Sequence, residues 1–152
     1  MSGNYAFSGG GIYNSAWTVT VSDDTLSGNG ARFGGGIYNS GGTVTVSNGS
    51  TLSDNLAYHA DYSWTGGDGG GLYNDGGTVT ISNSTLSGNT ADVNFGRGGG
   101  IYNNGEVTVE NSSSITGNTA SDLGADVYNL SVLYLDSSSA IGILDGNSAI
   151  SF

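Results

Sequence analysis

The sequence predicts an all-β fold, namely a right-handed parallel β-helix (β-solenoid) of about five coils that forms one domain over residues 1–152. Three observations predict it. A Gly-Ile-Tyr-Asn motif occurs five times, a short alternating strand follows each copy, and a Leu-Ser-Gly-Asn-Thr-Ala motif follows each strand. This recurrence is typical of stacked repeats, whose units bury their apolar faces only against neighbouring units.

The Gly-Ile-Tyr-Asn motif sets the period of the repeat. Its copies occupy residues 11–14, 36–39, 71–74, 100–103 and, in degenerate form, 126–129. The apolar residue at its second position recurs after 25, 35, 29 and 26 residues. Because the next residue points outward in a strand, the tyrosines are predicted to stack as a ladder. They are Tyr13, Tyr38, Tyr73, Tyr102 and Tyr128. Structural stacking is the favoured explanation, and a carbohydrate or protein groove is the alternative.

The other two parts of each unit supply the remaining strands. Alternating apolar and hydroxyl residues, the pattern of a half-buried strand, occupy 18–22, 43–47, 78–82 and, more weakly, 106–110 and 132–136. The third part occupies 26–31, 52–57, 86–91, 115–120 and 144–149. Units this short have no room for strand–helix–strand crossovers. Three strands per turn would therefore restack at about 4.8 Å per coil, giving a rod roughly 24 Å long.

Asparagine recurs at two fixed positions of the unit. It tolerates left-handed turn conformations, and stacked amides hydrogen-bond along a rod. The sequence therefore predicts two asparagine ladders at the corners of the coil. The first ladder contains Asn14, Asn39, Asn74, Asn103 and Asn129, and the second contains Asn4, Asn29, Asn55, Asn89, Asn118 and Asn147.

The composition excludes several classes of protein. Thirteen carboxylates against two basic residues give a formal net charge of -11. This charge excludes a nucleic-acid binder that neutralises phosphates, and it argues against docking to anionic membranes. Without cysteine there is no disulfide framework and no thiolate metal site. No stretch approaches the roughly 18 apolar residues of a transmembrane helix. The opening residues 1–4 lie inside a repeat and do not form a secretory signal.

Two short motifs carry a family resemblance. Gly35-Gly36 with Ile37, and Leu26-Ser27-Gly28-Asn29, with their counterparts in the other units, resemble the repeats of chlamydial polymorphic outer membrane proteins. The resemblance covers the whole chain, although that family has Phe where this chain has Leu or Ile in the second motif. It implies the β-helical passenger of a secreted surface protein, which in that family acts in adhesion.

The length of the unit varies mainly at one corner, between its third part and the next glycine run. Stacking places these segments side by side, and insertions on one face of a solenoid often mark its binding face. Carbohydrate binding by ring stacking and hydrogen bonding is the prediction for this loop edge. The alternative is a long loop that folds back over an apolar strip. The candidate residues are Arg32, Phe33, Tyr58, His59, Asp61, Tyr62, Trp64, Phe95 and Arg97.

The residues do not predict an enzyme, a cofactor or a metal site. His59, Asp61 and Asp68 share one loop and no acid pair is fixed on a strand, whereas acid–base catalysis needs a held separation. The glycine-rich run around Asp68 occurs once and lacks a nonapeptide period, so a turn is expected there rather than a calcium site.

Outward threonines suggest a third function. They form two columns, Thr18, Thr43 and Thr78 in one and Thr20, Thr45, Thr80 and Thr108 in the other. Thr-x-Thr arrays on a flat solenoid face are similar to those of ice-binding β-helices. The alternative is that threonine is simply a favourable solvent-facing strand residue.

The two ends of the rod carry the same part of the repeat, and the sequence shows no cap. A β-helix exposes unpaired strand edges at its ends, which invite further strands. The sequence therefore predicts a non-catalytic structural or adhesive protein, extracellular or on the cell surface, that associates with itself end to end into a filament. A segment of a longer solenoid is the competing explanation. A glycan or a cell-surface protein is the alternative partner.

Overall fold

The structure is a computed structural model, and it describes residues 1–59, 67–92 and 94–152. Asp61, Tyr62 and Trp64 lie outside these ranges. The described residues contain strands and turns, and no helix. The strands are β1 Ile12–Ser15, β2 Thr18–Ser22, β3 Thr25–Ser27, β4 Gly30–Ala31, β5 Ile37–Ser40, β6 Thr43–Ser47, β7 Thr51–Ser53, β8 Leu56–Ala57, β9 Leu72–Ser82, β10 Thr85–Ser87, β11 Thr90–Ala91, β12 Ile101–Glu110, β13 Ser114–Ile115, β14 Thr119–Ala120, β15 Val127–Asn129, β16 Val132–Leu135, β17 Ala140–Ile141, β18 Leu144–Gly146 and β19 Ile150–Ser151.

These strands form three parallel sheets, which confirms the predicted parallel β-helix. A ten-stranded sheet contains β1, β5, β9, β12, β15 and β18 in that order, flanked by β2, β6, β16 and β19. A five-stranded sheet has the order β3-β7-β10-β13-β17, and a four-stranded sheet has the order β4-β8-β11-β14. Each strand pairs with its equivalent one coil away, so identical motif positions lie in register, as Ile12 with Ile37.

The core consists of columns of aliphatic side chains, to which all three sides of the coil contribute. Val, Ile and Leu of the ten- and five-stranded sheets form one contiguous cluster, and the alanines of the four-stranded sheet close the third side. Ile37, Leu52 and Leu86 are fully buried. Burial of such a side chain stabilises the fold by about 1.5–3 kcal/mol. In the first and last coils the same columns are only partly covered, at Ile12 and Leu144.

Both asparagine ladders form, and their hydrogen bonds run in one direction. In the first ladder each side-chain Nδ2 donates to the Oδ1 of the next coil, over 2.8–3.0 Å from Asn14 to Asn129. It also donates to a carbonyl of its own corner, as from Asn39 to Gly42. In the second ladder both the backbone N–H and Nδ2 donate to the next Oδ1, as from Asn89 to Asn118 at 3.0 and 2.9 Å. Each coil is therefore bonded to the next through buried amides.

The last coil differs from the predicted alignment. Residues 144–149 are not the fifth copy of the third part, because Ile141, not Leu144, pairs with Ile115 in the five-stranded sheet. Leu144 instead pairs with Val127 in the ten-stranded sheet. This coil omits the four-stranded side altogether, so Asn147 does not join the second ladder. It closes the first ladder, since its carbonyl accepts from Asn129 Nδ2 at 3.0 Å.

A carboxylate ends the second ladder, a termination that the sequence did not predict. Asp126 Oδ1 accepts from the backbone N–H and from Nδ2 of Asn118, at 2.9 and 2.8 Å. Its Oδ2 accepts from the N–H of Ile143 at 2.7 Å. Asp126 replaces the motif glycine, whose Cβ direction points at the ladder amide in the other coils, as for Gly71 and Asn89. The side chain thus takes the place of an asparagine that the shortened coil lacks.

Candidate functional site

The predicted loop edge is only partly assembled by the described residues. Tyr58 and His59 are half-buried, and Phe95 is 49% exposed. The ring of Tyr58 lies edge-on to Tyr5 at 6.4 Å. Asp61, Tyr62 and Trp64, which were predicted to contribute most of the loop, lie outside the described residues. Carbohydrate binding at this edge therefore stays a prediction.

Arg97, which lies at this edge, forms a salt bridge with Asp68. The guanidinium donates from Nε to Oδ1 at 3.2 Å and from Nη2 to Oδ2 at 3.0 Å, and the Arg97 backbone N–H donates to Oδ1 at 3.0 Å. Burial raises the pKa of the Asp68 carboxyl, against the opposing hydrogen bonds and charge of Arg97. Burial alone would lower the pKa of Arg97, but the hydrogen bond and charge of Asp68 raise it overall. The pair joins neighbouring coils and neutralises its own charge.

Both arginines lie over aromatic rings. The guanidinium carbon of Arg32 is 4.9 Å from the ring centre of Phe33 and 5.8 Å from that of Phe7. That of Arg97 is 5.3 Å from the ring centre of Tyr102 and 5.4 Å from that of Tyr128. Such cation–π contacts contribute about 0.5–1 kcal/mol at exposed sites. The contacts of Arg97 join the variable corner to the tyrosine ladder, and those of Arg32 join it to two phenylalanines.

The tyrosine ladder presents ring edges rather than ring faces. Neighbouring rings from Tyr13 to Tyr102 are nearly parallel, with centres 4.5–5.3 Å apart. The ring of Tyr128 is tilted by 49° relative to the ring of Tyr102. A sugar stacks on the face of a ring, and both faces of Tyr38 and Tyr73 are covered by their neighbours. The ladder is therefore best explained as stacking between coils, worth about 0.5–1.5 kcal/mol per pair beyond area burial.

Burial and charge make the inner tyrosines harder to ionise. Burial raises the pKa of Tyr38 to about 12, with further contributions from the charge of Asp75 and from the 3.2 Å hydrogen bond between the two side chains. Burial also raises the pKa of Tyr73 and of Tyr102. These side chains stay neutral at physiological pH and offer no catalytic base.

The threonine columns stand in register on the outside of the rod. Thr18 pairs with Thr43, which pairs with Thr78, while Thr20 and Thr45 continue the second column. Glu106, Val132 and Tyr134 interrupt the columns towards the C-terminal end. A second hydroxyl face, missed in the sequence, lies on the five-stranded sheet. It consists of Thr25, Ser27, Thr51, Ser53, Thr85, Ser87 and Ser114. The period-two rule could have found it, but the strands are only two or three residues long.

A buried serine column is the other feature that the sequence did not reveal. Ser50, Ser84 and Ser113 are almost fully buried at the corner before the five-stranded sheet. Two of the hydroxyls accept backbone N–H groups from the preceding coil, Ser50 Oγ from Asp24 and Ser113 Oγ from Ser84, both at 3.2 Å. Serine is abundant throughout the sequence. The structural role of these three serines could therefore not be recognised from residue type alone.

The exposed large apolar side chains are concentrated at the two ends of the rod. Of eleven among the described residues, five lie within residues 1–17 and five within residues 123–152. Phe95 is the only one between them in the part of the chain that the structure describes. They are Met1, Tyr5, Phe7, Tyr13 and Trp17 at one end, and Leu123, Leu130, Ile143, Ile150 and Phe152 at the other. Within residues 1–59, 67–92 and 94–152, exposed large apolar side chains are thus concentrated towards the two ends of the rod.

Comparison with known proteins does not assign the chain to a family: no family model, no curated protein and no solved structure matches it. Within residues 1–59, 67–92 and 94–152, no helix has the length and apolar character needed to cross a membrane. The same ranges bring no three His, Cys, Asp or Glu side chains together in a way that could hold a metal ion.

Proposed function

We propose that this protein is a non-catalytic structural β-solenoid, extracellular or on the cell surface, that associates through the ends of its rod. The resemblance to chlamydial surface repeats supports the location and an adhesive role. The position of the exposed apolar side chains carries the proposal of association. Of the eleven such side chains among the described residues, ten lie within residues 1–17 and 123–152, and exposed apolar side chains gathered in one region mark an interaction surface.

The backbone of the first coil supports the same conclusion. Thr43 donates its N–H to the carbonyl of Trp17, and Asp23 donates its N–H to the carbonyl of Ser47. The backbone groups of the two residues that flank β2 therefore point towards the second coil. Peptide groups alternate in direction along a strand. Those of Thr18, Thr20 and Ser22 therefore face the open end, unpaired within the described residues. An unpaired strand edge is a template for another strand.

The net charge predicts how association responds to salt. Two copies that each carry a formal charge of -11 repel one another, and added salt screens that repulsion over about 10 Å at 0.1 M. Association through apolar ends should therefore be weakest at low ionic strength and should increase with salt. Contacts made by salt bridges would respond in the opposite direction.

The test is to follow assembly by sedimentation velocity and electron microscopy over a range of protein and salt concentrations. We expect rods that become longer as the protein concentration and the salt concentration increase. Thr20→Pro removes one outward N–H of the edge strand, a position at which proline is tolerated, and should prevent assembly. Thr20→Val keeps the N–H and the strand propensity, and it should assemble like the unmodified chain.

A second variant, Ile150→Asp, places a charge on the opposite end and should also block assembly. Circular dichroism identifies any variant that fails to fold. A monodisperse short rod at every concentration and salt would overturn the proposal. Equal assembly by the proline and valine variants would show that the edge of β2 is not the contact.

The hydroxyl grid of β2, β6 and β9 favours one second candidate, binding to an ordered water or ice surface. Nine hydroxyl side chains stand there in three registered rows: Thr18, Thr20, Ser22, Thr43, Thr45, Ser47, Thr78, Thr80 and Ser82. Inhibition of ice recrystallisation should be lost in Thr45→Tyr. It should persist in Thr51→Tyr, which alters the other hydroxyl face. Inhibition that survives Thr45→Tyr would eliminate this candidate.

A further inference from the structure

We propose that the end contact is head to tail, and that the first coil of one copy continues the sheets of the last coil of another in a fixed register. This inference rests on the end-on association proposed above, and its partner is a second copy of this chain. Three observations support it: the order in which the chain visits its sheets, the residues that complete each column, and the corner occupied by Trp17.

Up to the last coil the chain visits its sheets in one cyclic order: five-stranded, four-stranded, ten-stranded. The last coil passes from the five-stranded sheet directly to the ten-stranded sheet. The chain begins with Ser2 bridging to the five-stranded sheet at Ser27, then Tyr5 bridging to the four-stranded sheet at Gly30. It finishes in the ten-stranded sheet, with β18 on β15 and β19 on β16. After the ten-stranded sheet the cycle returns to the five-stranded sheet, and the first residues of an added copy lie in that sheet. A copy added at the C-terminal end therefore continues the cycle without a break.

This continuity fixes the register of the contact. In the joined rod, β1 of the added copy lies on β18, and β2 lies on β19. The Thr20 column reaches Ile150 through Tyr134, so Thr20 of the added copy lies beside Ile150. The ten-stranded sheet has six levels, from β1 to β18. Adjacent levels are about 4.8 Å apart, so each copy should advance the filament by about 29 Å.

The corner at Trp17 fits this register. The equivalent residues of later coils are Gly42 and Gly77, where a Cβ would overlap the ladder amides of Asn14 and Asn39 in the preceding coil. Trp17 lies in the first described coil, where no ladder amide of a preceding coil lies against its side chain, and it is 77% exposed. In the last coil the ladder position is Gly146, which pairs with Asn129 and has no side chain. An added copy can therefore place Trp17 over this position without meeting an amide.

The register also predicts a notch on one side of the joined rod. Gly142 and Ile143 connect β17 directly to β18, so the last coil has no strand on the four-stranded side. The outermost strand there is β14, and Tyr5 of the added copy would lie two levels beyond it. One strand position stays empty in each copy, which makes the notch recur with the same period of about 29 Å.

Disulfide trapping tests the register, because the chain has no cysteine of its own. Thr20→Cys and Ile150→Cys place one thiol on each end, at neighbouring positions of a parallel pair. Mixed under assembly conditions and oxidised, the two variants should give a cross-linked heterodimer. Thr45→Cys, one coil inward on the same column, is the matched control and should not cross-link to Ile150→Cys. Electron microscopy should show the axial period of about 29 Å.

The outcomes separate this inference from the proposal on which it rests. Cross-linking of Thr20→Cys to itself would show contact between two N-terminal ends and would overturn the head-to-tail arrangement while association stands. Filaments with another period, or with no mixed cross-link, would overturn the register alone. If no assembly occurs in the unmodified chain, the proposed association fails and the register fails with it.

Discussion

The second asparagine ladder ends differently at its two ends, at Asn4 and at Asp126. Every amide in this ladder donates towards the C-terminal end, so that end is left with two donors, both on Asn118. There the fold supplies the buried carboxylate of Asp126. The other end is left with an acceptor, and Asn4 is exposed to solvent. A carbonyl oxygen in water is satisfied, whereas buried donors without partners are costly. A buried amide ladder in a solenoid thus needs a cap chiefly at its donor end.

Replacing the cap should have the largest effect. Asp126→Ala leaves three N–H donors without their acceptor, and one unsatisfied buried group costs about 1–3 kcal/mol. We expect a loss of about 3–5 kcal/mol in the free energy of unfolding, measured by urea denaturation. Asn4→Ala removes the opposite end of the same ladder and should cost less than about 1 kcal/mol.

Asp126→Asn distinguishes the contributions of the two carboxylate oxygens of Asp126. Its amide oxygen can still accept from Asn118, but its NH2 group would face the N–H of Ile143. We expect a loss between those of the two alanine variants. Equal losses for Asp126→Ala and Asn4→Ala would contradict the difference between the ladder ends, because they would show that the direction of the hydrogen bonds does not decide which end needs a cap.

The sequence predicted this ladder but not its termination. Asn29, Asn55, Asn89 and Asn118 recur at one motif position, so the column could be found by alignment. The same alignment assigned Asn147 to it, because Asp145-Gly146-Asn147 resembles the earlier motif. The register contradicts this assignment, since the shortened coil omits a whole side. Local similarity does not report which sheet a segment joins, and Asp126 was recognisable only as a departure from glycine.

A second comparison sets Trp17 of the first coil against Gly42 of the second. Gly42→Ala places a Cβ against the Asn14 amide and the Trp17 carbonyl. Overpacking of this kind costs about 1–3 kcal/mol, which urea denaturation should show. Trp17→Ala should change the stability of the isolated rod by less than about 0.5 kcal/mol, because its side chain is largely exposed. A large loss for Trp17→Ala at low salt, where we expect association to be weakest, would show that Trp17 stabilises its own coil.

The candidate surfaces were less predictable than the scaffold, for physical reasons. The period of the repeat places Thr20 beside Thr45 and Tyr13 beside Tyr38, since register follows from restacking. It does not show that Arg97 would pair with Asp68 rather than face solvent, because that contact depends on loop geometry between coils of unequal length. The apolar ends were also missed, since Trp17 and Ile150 have an unusual environment only once the end coils are identified.

The smallest expected effect concerns the tyrosine ladder, which should make the rod sensitive to alkali. The ordinary pKa of tyrosine is 10.0, and burial with Asp75 raises that of Tyr38 to about 12 in the folded rod. The unfolded chain therefore loses its proton first. The associated stability is fully present below pH 10 and is lost as the pH rises through about 12.

Asp75→Asn removes one charge and one acceptor, so titration of tyrosinate absorbance should show the pKa of Tyr38 fall towards 10.0. It should not reach that value, because burial is the largest cause. Asp24→Asn makes the same change at another corner and should leave this titration unaltered. An unchanged curve in Asp75→Asn would show that burial alone holds the ladder neutral.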